Sequence, residues 1–318
     1  ASEGVKFVLI GQQALMSPSA ADLINKAKAV ADANGARLGF LGDGANWVGG
    51  FIAGSHAASH DGLCAQGILS APRKAVLVLG NEPEFDTLSG AKALDSLKNS
   101  EFVVAVSAFV GNAKEYADVI LPLCPQTETS GTFINIAGTP QSFKATVRPL
   151  GESRPGWKIL RVLGNLLQLD GFEYNSSEDV LKAALPADLA GRFGSSVNAS
   201  SAVQAQALSS GLQIASYTPI YNSDSLVRRA ASLQSTKAAK APVVQANAET
   251  LSLIGAQAGD KVRLIDSQGG VMEAVVGLNK HVAKQVILVP TGRKEALSLN
   301  TRFGGVNVSV LNAAEVQA

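Results

Sequence analysis

Short apolar runs that end in or near glycine are the feature that most constrains the fold of this chain. Lys6 to Gly11 forms one such run, Lys74 to Gly80 repeats it, and Glu101 to Ser107 is a third. Helical stretches follow the first two runs, the second of them from about Asp86 to Lys98. Continuous Val, Leu and Ile runs between helices are typical of parallel strands buried on both faces. The sequence therefore predicts an α/β fold with a doubly wound, mostly parallel sheet.

The pattern changes after Pro242, where short strands replace the alternation of strands and helices. The apolar runs there are 262–265, 271–276, 286–289 and 306–311. Turn residues separate these runs, which predicts a second, smaller, β-rich and barrel-like domain. A length of 318 residues suits about two domains. The predicted divisions are an α/β domain over 1–215, a crossing segment over 216–241 and the small domain over 242–318.

Charge and hydropathy exclude two classes of partner. The 27 Lys and Arg residues nearly balance the 26 Asp and Glu residues, for a net charge of +1. A chain this close to neutral has no overall field to attract nucleic acid. The uncharged stretch over residues 44 to 60 is broken by Gly, Asn, Ser and His, so it does not supply the roughly 20 apolar residues of a membrane span. We expect a soluble segment without a direct membrane span.

Motifs for catalysis and metal binding are weak. The dipeptide Gly-Lys is absent from the sequence, which excludes a P-loop. Cys64 and Cys124 are too far apart in sequence for a C-x-x-C pair, and we expect both to be buried, inert thiols. His56 and His60 are four residues apart and suit a metal only if their segment is helical, without an H-E-x-x-H glutamate between them. We expect no catalytic residue and no metal site.

Loops that follow the predicted strands carry the best candidates for ligand contact. Ligands of doubly wound sheets bind at the carboxyl ends of the strands, although such loops also serve as plain connections. The candidates, should a pterin or nucleotide bind, are Gly80, Asn81, Glu82, Glu128 and Asn135.

The order of these loops resembles the molybdopterin oxidoreductase superfamily. The matching residues are Asn46 to Gly54, Ala117 to Pro122, Glu128, Gly131 to Asn135, Gly138, Gln141, Gly151 to Trp157 and the late Gly255 and Gly259 to Val262. The resemblance covers most of the chain and implies that superfamily's α/β fold with a C-terminal β domain.

Three further segments resemble one branch of that superfamily, the large iron–sulfur subunits of respiratory complex I. They are Pro72 to Ala75, Gly80 to Glu84 and Pro219 to Gln234. This resemblance implies a non-catalytic region without a cofactor, in a subunit whose iron–sulfur clusters lie upstream of residue 1. Its parent assembly, NADH:quinone oxidoreductase, passes electrons from NADH through FMN and iron–sulfur clusters to quinone. The implied partners are other peripheral-arm subunits, at the cytoplasmic or matrix face of the membrane.

Two departures from the active enzymes of the superfamily support this branch. Active members usually show Gly-x-Asn-Pro where this sequence has Gly80-Asn81-Glu82-Pro83. An unneutralised Glu82 carboxylate facing an anionic pterin dinucleotide costs on the order of 1 kcal/mol or more. A His-Thr or His-Ser element is also missing between Tyr217 and Arg229. The alternatives are the pterin-dinucleotide-binding part of an active enzyme such as a formate dehydrogenase, and a simple nucleotide-binding or small-ligand-binding module.

Residues 151 to 169 predict a core-facing helix that begins after Pro155-Gly156. Apolar residues recur there at helical spacing, starting with Trp157. We expect Trp157 to pack between this helix and the sheet, where its replacement by alanine would cost about 3 to 5 kcal/mol.

Overall fold

The computed structural model forms two compact units, each assembled from two separate stretches of sequence. The first unit joins residues 1–64 with 122–207, and the second joins residues 65–121 with 208–318. The residues that the structure describes are 4–55, 62–185, 188–189, 211–240 and 243–311.

Strands occur in both units. They are β1 (Phe7–Ile10), β2 (Arg37–Phe40), β3 (Val76–Leu79), β4 (Val103–Ser107), β5 (Val119–Pro122), β6 (Gly131–Ile134), β7 (Pro140–Phe143), β8 (Gln213–Tyr217), β9 (Val243–Ala246), β10 (Lys261–Asp266), β11 (Val271–Leu278), β12 (Val286–Pro290) and β13 (Phe303–Val310). The strands predicted from the apolar runs are confirmed, with ends that differ by a few residues.

Helices connect these strands. The α-helices are α1 (Gln12–Leu15), α2 (Ala20–Ala33), α3 (Trp47–Ile52), α4 (Ala65–Ile68), α5 (Pro83–Asp86), α6 (Gly90–Lys98), α7 (Gly156–Leu166), α8 (Ser177–Ala184), α9 (Ser225–Arg229), α10 (Ala231–Gln234) and α11 (Ala248–Leu253). Short 3₁₀ turns lie at Gly111–Glu115, Gln126–Glu128, Ile220–Asn222, Lys237–Ala239 and Lys294–Ala296. The helix predicted from Asp86 to Lys98 is divided in two, because Thr87 to Ser89 leave the helical conformation.

The first unit contains a parallel pair and a hairpin. Strands β1 and β2 pair in parallel, and helix α2 packs on both. Strands β6 and β7 form an antiparallel hairpin whose Phe133 and Phe143 rings meet edge to face, 5.0 Å apart. Asn46, just before α3, holds the hairpin in place by accepting a hydrogen bond from the Ile134 amide at 2.9 Å.

The second unit begins with a three-stranded sheet in the order β3-β4-β5. Its β3 and β4 strands pair in parallel, with Val76 opposite Val103. Leu97 from α6 and Tyr116 pack against buried residues of the sheet, Val103 among them. Because the strands are parallel, the carboxyl ends of β3 and β4 lie at the same edge.

A closed six-stranded barrel completes the second unit. Its strands follow the order β10-β11-β9-β12-β8-β13, closed by antiparallel pairing of β13 with β10. Along β10 the buried Val262 and Leu264 alternate with more exposed residues, as expected where one face of a strand turns to a core. The prediction of an α/β fold with a small β-barrel is confirmed. Strand β8 also belongs to this barrel although it lies before residue 242.

Helix α7 begins where predicted, after Pro155, but its apolar face is only partly covered, with Ile159, Leu160 and Leu163 half-buried. Gly164 is the buried residue of α7, whereas Val162 and Leu166 are exposed. A helical period shows that one face is apolar, and does not show that another element covers that face. Trp157 is only partly buried and lines an open cleft.

We therefore expect Trp157→Ala to lower the free energy of unfolding by about 1 kcal/mol, below the 3 to 5 kcal/mol of a core position. An indole that keeps part of its surface in water loses less on truncation, and its removal from a cleft leaves no closed cavity. Chemical denaturation followed locally by hydrogen exchange in α7 measures the change. A loss of about 3 kcal/mol would show that Trp157 packs as a core residue after all.

Several predictions fall partly or wholly outside the described residues. His56 and His60 lie outside them, and so does most of the stretch 194–216 for which the sequence pattern does not choose between helix and loop. In the part of the chain that is described, no helix is long and apolar enough to cross a membrane.

Candidate functional site

The loop after β3 is the best-defined polar site in the second unit. Gly80 ends the strand with φ at +69°, a left-handed conformation that glycine adopts without the steric cost of a side chain. The turn exposes Asn81 and buries Glu82, which is 6% exposed. The Glu82 amide donates to Asp86 Oδ2 at 2.7 Å, which fixes the start of α5.

Two arginines neutralise the Glu82 carboxylate. Arg228 Nε donates to Glu82 Oε2 at 3.0 Å, and Arg229 Nη1 donates to the same oxygen at 3.1 Å. Arg229 Nη2 also bonds Glu82 Oε1. The expectation of an unneutralised carboxylate at this position is wrong, because these arginines come from a segment 146 residues away in sequence.

Helix α9 presents both arginines to this loop. Asp224 caps the helix by accepting from the amides of Leu226 and Val227, each at 2.9 Å. Such a cap stabilises a short helix and fixes its direction. The five-residue α9 then ends in Arg228 and Arg229.

The charge balance keeps Glu82 ionised. Burial by itself raises the pKa of Glu82, but the hydrogen bond from Arg229 and the positive charge of Arg228 outweigh it. The pKa of Glu82 therefore lies below its ordinary value, and the pKa of Arg229 is raised by the same hydrogen bond. Glu82 is a fixed anion at neutral pH and has no proton to donate.

Aromatic rings and a glycine enclose the ion pairs. The Arg228 guanidinium carbon lies 5.1 Å from the centre of the Phe85 ring, and that of Arg229 lies 4.5 Å from the centre of the Phe109 ring. A Cβ atom built on Gly111 would be 2.9 Å from Arg229 Nη2. Only glycine lets the backbone approach the ion pair so closely, and its φ of +46° also favours glycine.

A second carboxyl lies deeper in the same region. Glu84 is 4% exposed, and its Oε2 atom has no hydrogen-bond partner among the described residues. Burial raises the pKa of Glu84, while its hydrogen bond to the Asn112 side chain lowers it in part. Burial and the negative charges of Glu84 and Glu82 also raise the pKa of Tyr116.

The donors of the two arginines are largely committed inside the protein. Besides Glu82, Arg228 donates to the carbonyl oxygen of Asn222 at 2.9 Å and to Asp86 Oδ1 at 3.0 Å. Arg229 Nη1 also donates to the carbonyl oxygen of Ser225 at 3.1 Å. The Arg228 side chain is 8% exposed. We name Glu82, Asp86, Arg228 and Arg229 the charge cluster. It is a closed network of matched charges.

The other two candidate residues belong to the first unit, where each serves its own loop. Glu128 Oε2 accepts from the Leu150 amide at 3.0 Å. Asn135 Oδ1 accepts from the amides of Ala137 and Thr139, both at 3.0 Å, and so shapes the turn between β6 and β7. These hydrogen bonds give both residues a structural role.

Metal ligands and thiols add no further site. Among the described residues, no group of three or more His, Cys, Asp and Glu side chains could hold a metal ion. Cys124 is buried, as expected, but Cys64 is exposed. The prediction for Cys64 is wrong because the neighbouring Leu63 is exposed too, so no apolar layer covers this stretch.

The predicted crossing segment over 216–241 contains the Arg228-Arg229 pair, but no sequence pattern identifies its partner. One signal was present in the sequence. Glu82 lies two residues after the apolar run that ends at Gly80, and a carboxylate buried beside such a run needs a positively charged partner.

Comparison with known proteins gives one family match. The family model of the molybdopterin oxidoreductases matches residues 5–166, about half of the chain. Among solved structures, acetylene hydratase from Pelobacter acetylenicus has a similar fold, with a TM-score of 0.51 at 15% sequence identity. The match covers 69% of this chain and 37% of the hydratase.

Similar curated proteins come from Staphylococcus aureus and carry the name "Putative formate dehydrogenase". One, from strain bovine RF122 / ET3-1, is 38% identical over 80 residues, which is 25% of this chain and 8% of the relative. Another, from strain MRSA252, is 35% identical over 81 residues, which is 26% of this chain and 8% of the relative. The matched part thus spans less than a tenth of these relatives.

Proposed function

Because this chain belongs to the molybdopterin oxidoreductase family, we propose that it is a cofactor-free structural region of a family oxidoreductase, the large iron–sulfur subunit of respiratory complex I. The charge cluster is the observation that carries this proposal. Family membership supports a role in an oxidoreductase. The charge cluster supports the second part of the proposal, that this segment does not itself hold the family's cofactor.

The polar groups at the end of β3 do not fit a pterin dinucleotide. The phosphates of such a group are anionic and need free cationic or amide donors. Here the guanidinium groups of Arg228 and Arg229 already bond Glu82 and so are not free donors for a phosphate. Releasing either arginine to a phosphate would leave Glu82 buried with less compensation, which is costly.

The cluster also joins two of the segments that resemble complex I subunits. Glu82 belongs to the segment Gly80 to Glu84, and Arg228 and Arg229 belong to the segment Pro219 to Gln234. Their direct ion pairs at 2.9 Å and 3.1 Å mean that these segments form one structural unit. We infer that the region has a structural role and contacts other peripheral-arm subunits at the membrane surface. Electron transfer takes place elsewhere in the assembly.

A second candidate is the pterin-dinucleotide-binding part of an active molybdopterin oxidoreductase such as a formate dehydrogenase. The names of the Staphylococcus aureus relatives favour this candidate over complex I. The sequence similarity to these relatives covers only about a quarter of this chain. The charge cluster, in contrast, is observed directly in the residues of this chain. The geometry therefore favours the cofactor-free region.

Activity of the native assembly separates the two candidates. The full-length protein, tagged at its own locus and gently extracted, is assayed for NADH-dependent quinone reduction and for formate oxidation. The proposal predicts NADH oxidation coupled to quinone and no formate oxidation. Formate oxidation without NADH activity would establish the second candidate.

A further inference from the structure

A basic cleft in the first unit has no part in the proposed function. Its volume is about 490 Å³, within the roughly 300 to 1,000 Å³ typical of small-molecule sites. Arg148, Arg154 and Lys158 line it, together with Glu128 and an apolar wall that includes Trp157. We name it the basic cleft.

Its positive charges are not neutralised within the described part of the chain. Arg148 makes no hydrogen bond or ion pair there, and the Arg154 guanidinium bonds only backbone carbonyls, those of Gly151 and Ser153. The Lys158 ammonium lies 5.4 Å from the centre of the Trp157 ring and has no carboxylate partner among the described residues. Three cations thus face one carboxylate, that of Glu128, which is already bonded to the Leu150 amide.

The backbone holds this arrangement in place. The Arg154 amide donates to the Pro122 carbonyl at 3.1 Å, and the Arg154 carbonyl accepts from the Cys124 amide at 2.9 Å. Lys158 sits in the first turn of α7, whose start is fixed by Pro155. A site with a fixed backbone loses less entropy when a ligand binds.

We propose that the basic cleft binds a nucleoside phosphate, with its phosphate between Arg148 and Arg154 and its base against Trp157. A planar guanidinium fork matches phosphate oxygens in a bidentate arrangement. A phosphate ester carries about two negative charges at neutral pH and so balances the excess of cations better than a single carboxylate. The indole and the neighbouring prolines supply an apolar surface of the kind on which bases stack.

Equilibrium dialysis of the full-length protein with labelled ADP tests this proposal. We expect saturable binding that weakens about tenfold or more in Arg148→Gln, because one charge-assisted contact is lost. Trp157→Leu should weaken binding about fivefold or more through loss of base stacking. Binding should also weaken as salt is raised.

Arg37→Gln is the matched control. Arg37 is an exposed arginine on β2 in the same unit and does not line the cleft. ADP binding should be the same in this variant as in the natural protein, and any nucleotide site elsewhere in the full-length protein should remain unchanged in all three variants. Loss of ADP binding in Arg148→Gln but not in Arg37→Gln supports the cleft as the site.

Three results would overturn the proposal. The first is no ADP binding at millimolar concentration. The second is ADP binding that Arg148→Gln and Trp157→Leu leave unchanged. The third is inorganic phosphate binding as tightly as ADP, which would mean that the cleft recognises a bare anion and makes no use of its apolar wall.

Discussion

We expect the replacement of Glu82 by alanine to lower the local free energy of unfolding by about 3 kcal/mol. The substitution leaves Asp86 as the one carboxylate of the charge cluster for two guanidinium groups, and the Arg228 side chain is 8% exposed. Removing one member of a buried ion pair is costly, since the remaining charge stays desolvated. Hydrogen exchange in β3 and β4 of the full-length protein should accelerate about a hundredfold, because each 1.4 kcal/mol corresponds to a factor of ten.

Glu115→Ala is the matched control for this result. Glu115 pairs with Lys98 at 3.0 Å on the surface of the same unit, and both side chains are close to half exposed. Exposed pairs of this kind contribute about 0 to 1 kcal/mol. Equal effects of Glu82→Ala and Glu115→Ala on exchange in β3 and β4 would contradict the charge cluster.

Stability should also depend on pH through Glu82. The pKa of Glu82 in the folded state is lowered, since the two arginines outweigh the effect of burial. A lowered pKa gives stability that is fully present above the unfolded value of about 4.5 and is lost as pH falls through the folded value. The difference between the natural protein and Glu82→Ala should therefore be constant near neutral pH and shrink below about pH 4.5.

Leu264→Ala in the barrel should cost about 3 kcal/mol. Leu264 on β10 is 0% exposed and packs among the side chains that fill the barrel. Its truncation removes apolar contacts and leaves a cavity that the closed strands relax to fill only in part. Hydrogen exchange of the barrel strands in the full-length protein measures the loss.

The adjacent residue supplies a control on the same strand. Ile265 is 40% exposed, and Ile265→Ala should cost at most about 1 kcal/mol. Because side chains alternate along a strand, the two substitutions compare the inside and the outside of the barrel at one point. A cost for Ile265→Ala that equals the cost for Leu264→Ala would contradict this assignment of faces.

Apolar runs predicted the sheet strands well because Val and Ile favour strands. The expectation that these strands are buried on both faces is wrong for β3, where Leu77 and Leu79 are exposed. Val76 to Leu79 and Val103 to Ser107 lie within predicted runs. Strand β8 was not predicted, since Gln213 to Tyr217 is short, partly polar and joins the barrel through partners far away in sequence. Trp157 was misplaced because a helical period does not identify what covers the apolar face.

The site was harder to predict than the fold. Glu82 is unusual in the sequence because it departs from the Gly-x-Asn-Pro pattern of the active enzymes that the chain resembles, but its arginine partners lie 146 and 147 residues away, a pairing that no local pattern shows. The basic cleft was missed for a related reason. Arg148, Arg154 and Lys158 are close in sequence, yet only the folded chain brings them to one cavity.

The metal content of the native assembly tests the central claim, that this region holds no pterin cofactor, most directly. The full-length protein is purified under mild conditions with its partners, and iron and molybdenum are measured per copy of the chain. We expect no molybdenum, because the guanidinium groups of the charge cluster already bond its own carboxylates and are not free to bind a pterin cofactor. We expect many iron atoms, because the complex I subunits that the chain resembles carry iron–sulfur clusters. One molybdenum atom per chain would contradict the claim and show that the chain belongs to an active molybdopterin enzyme.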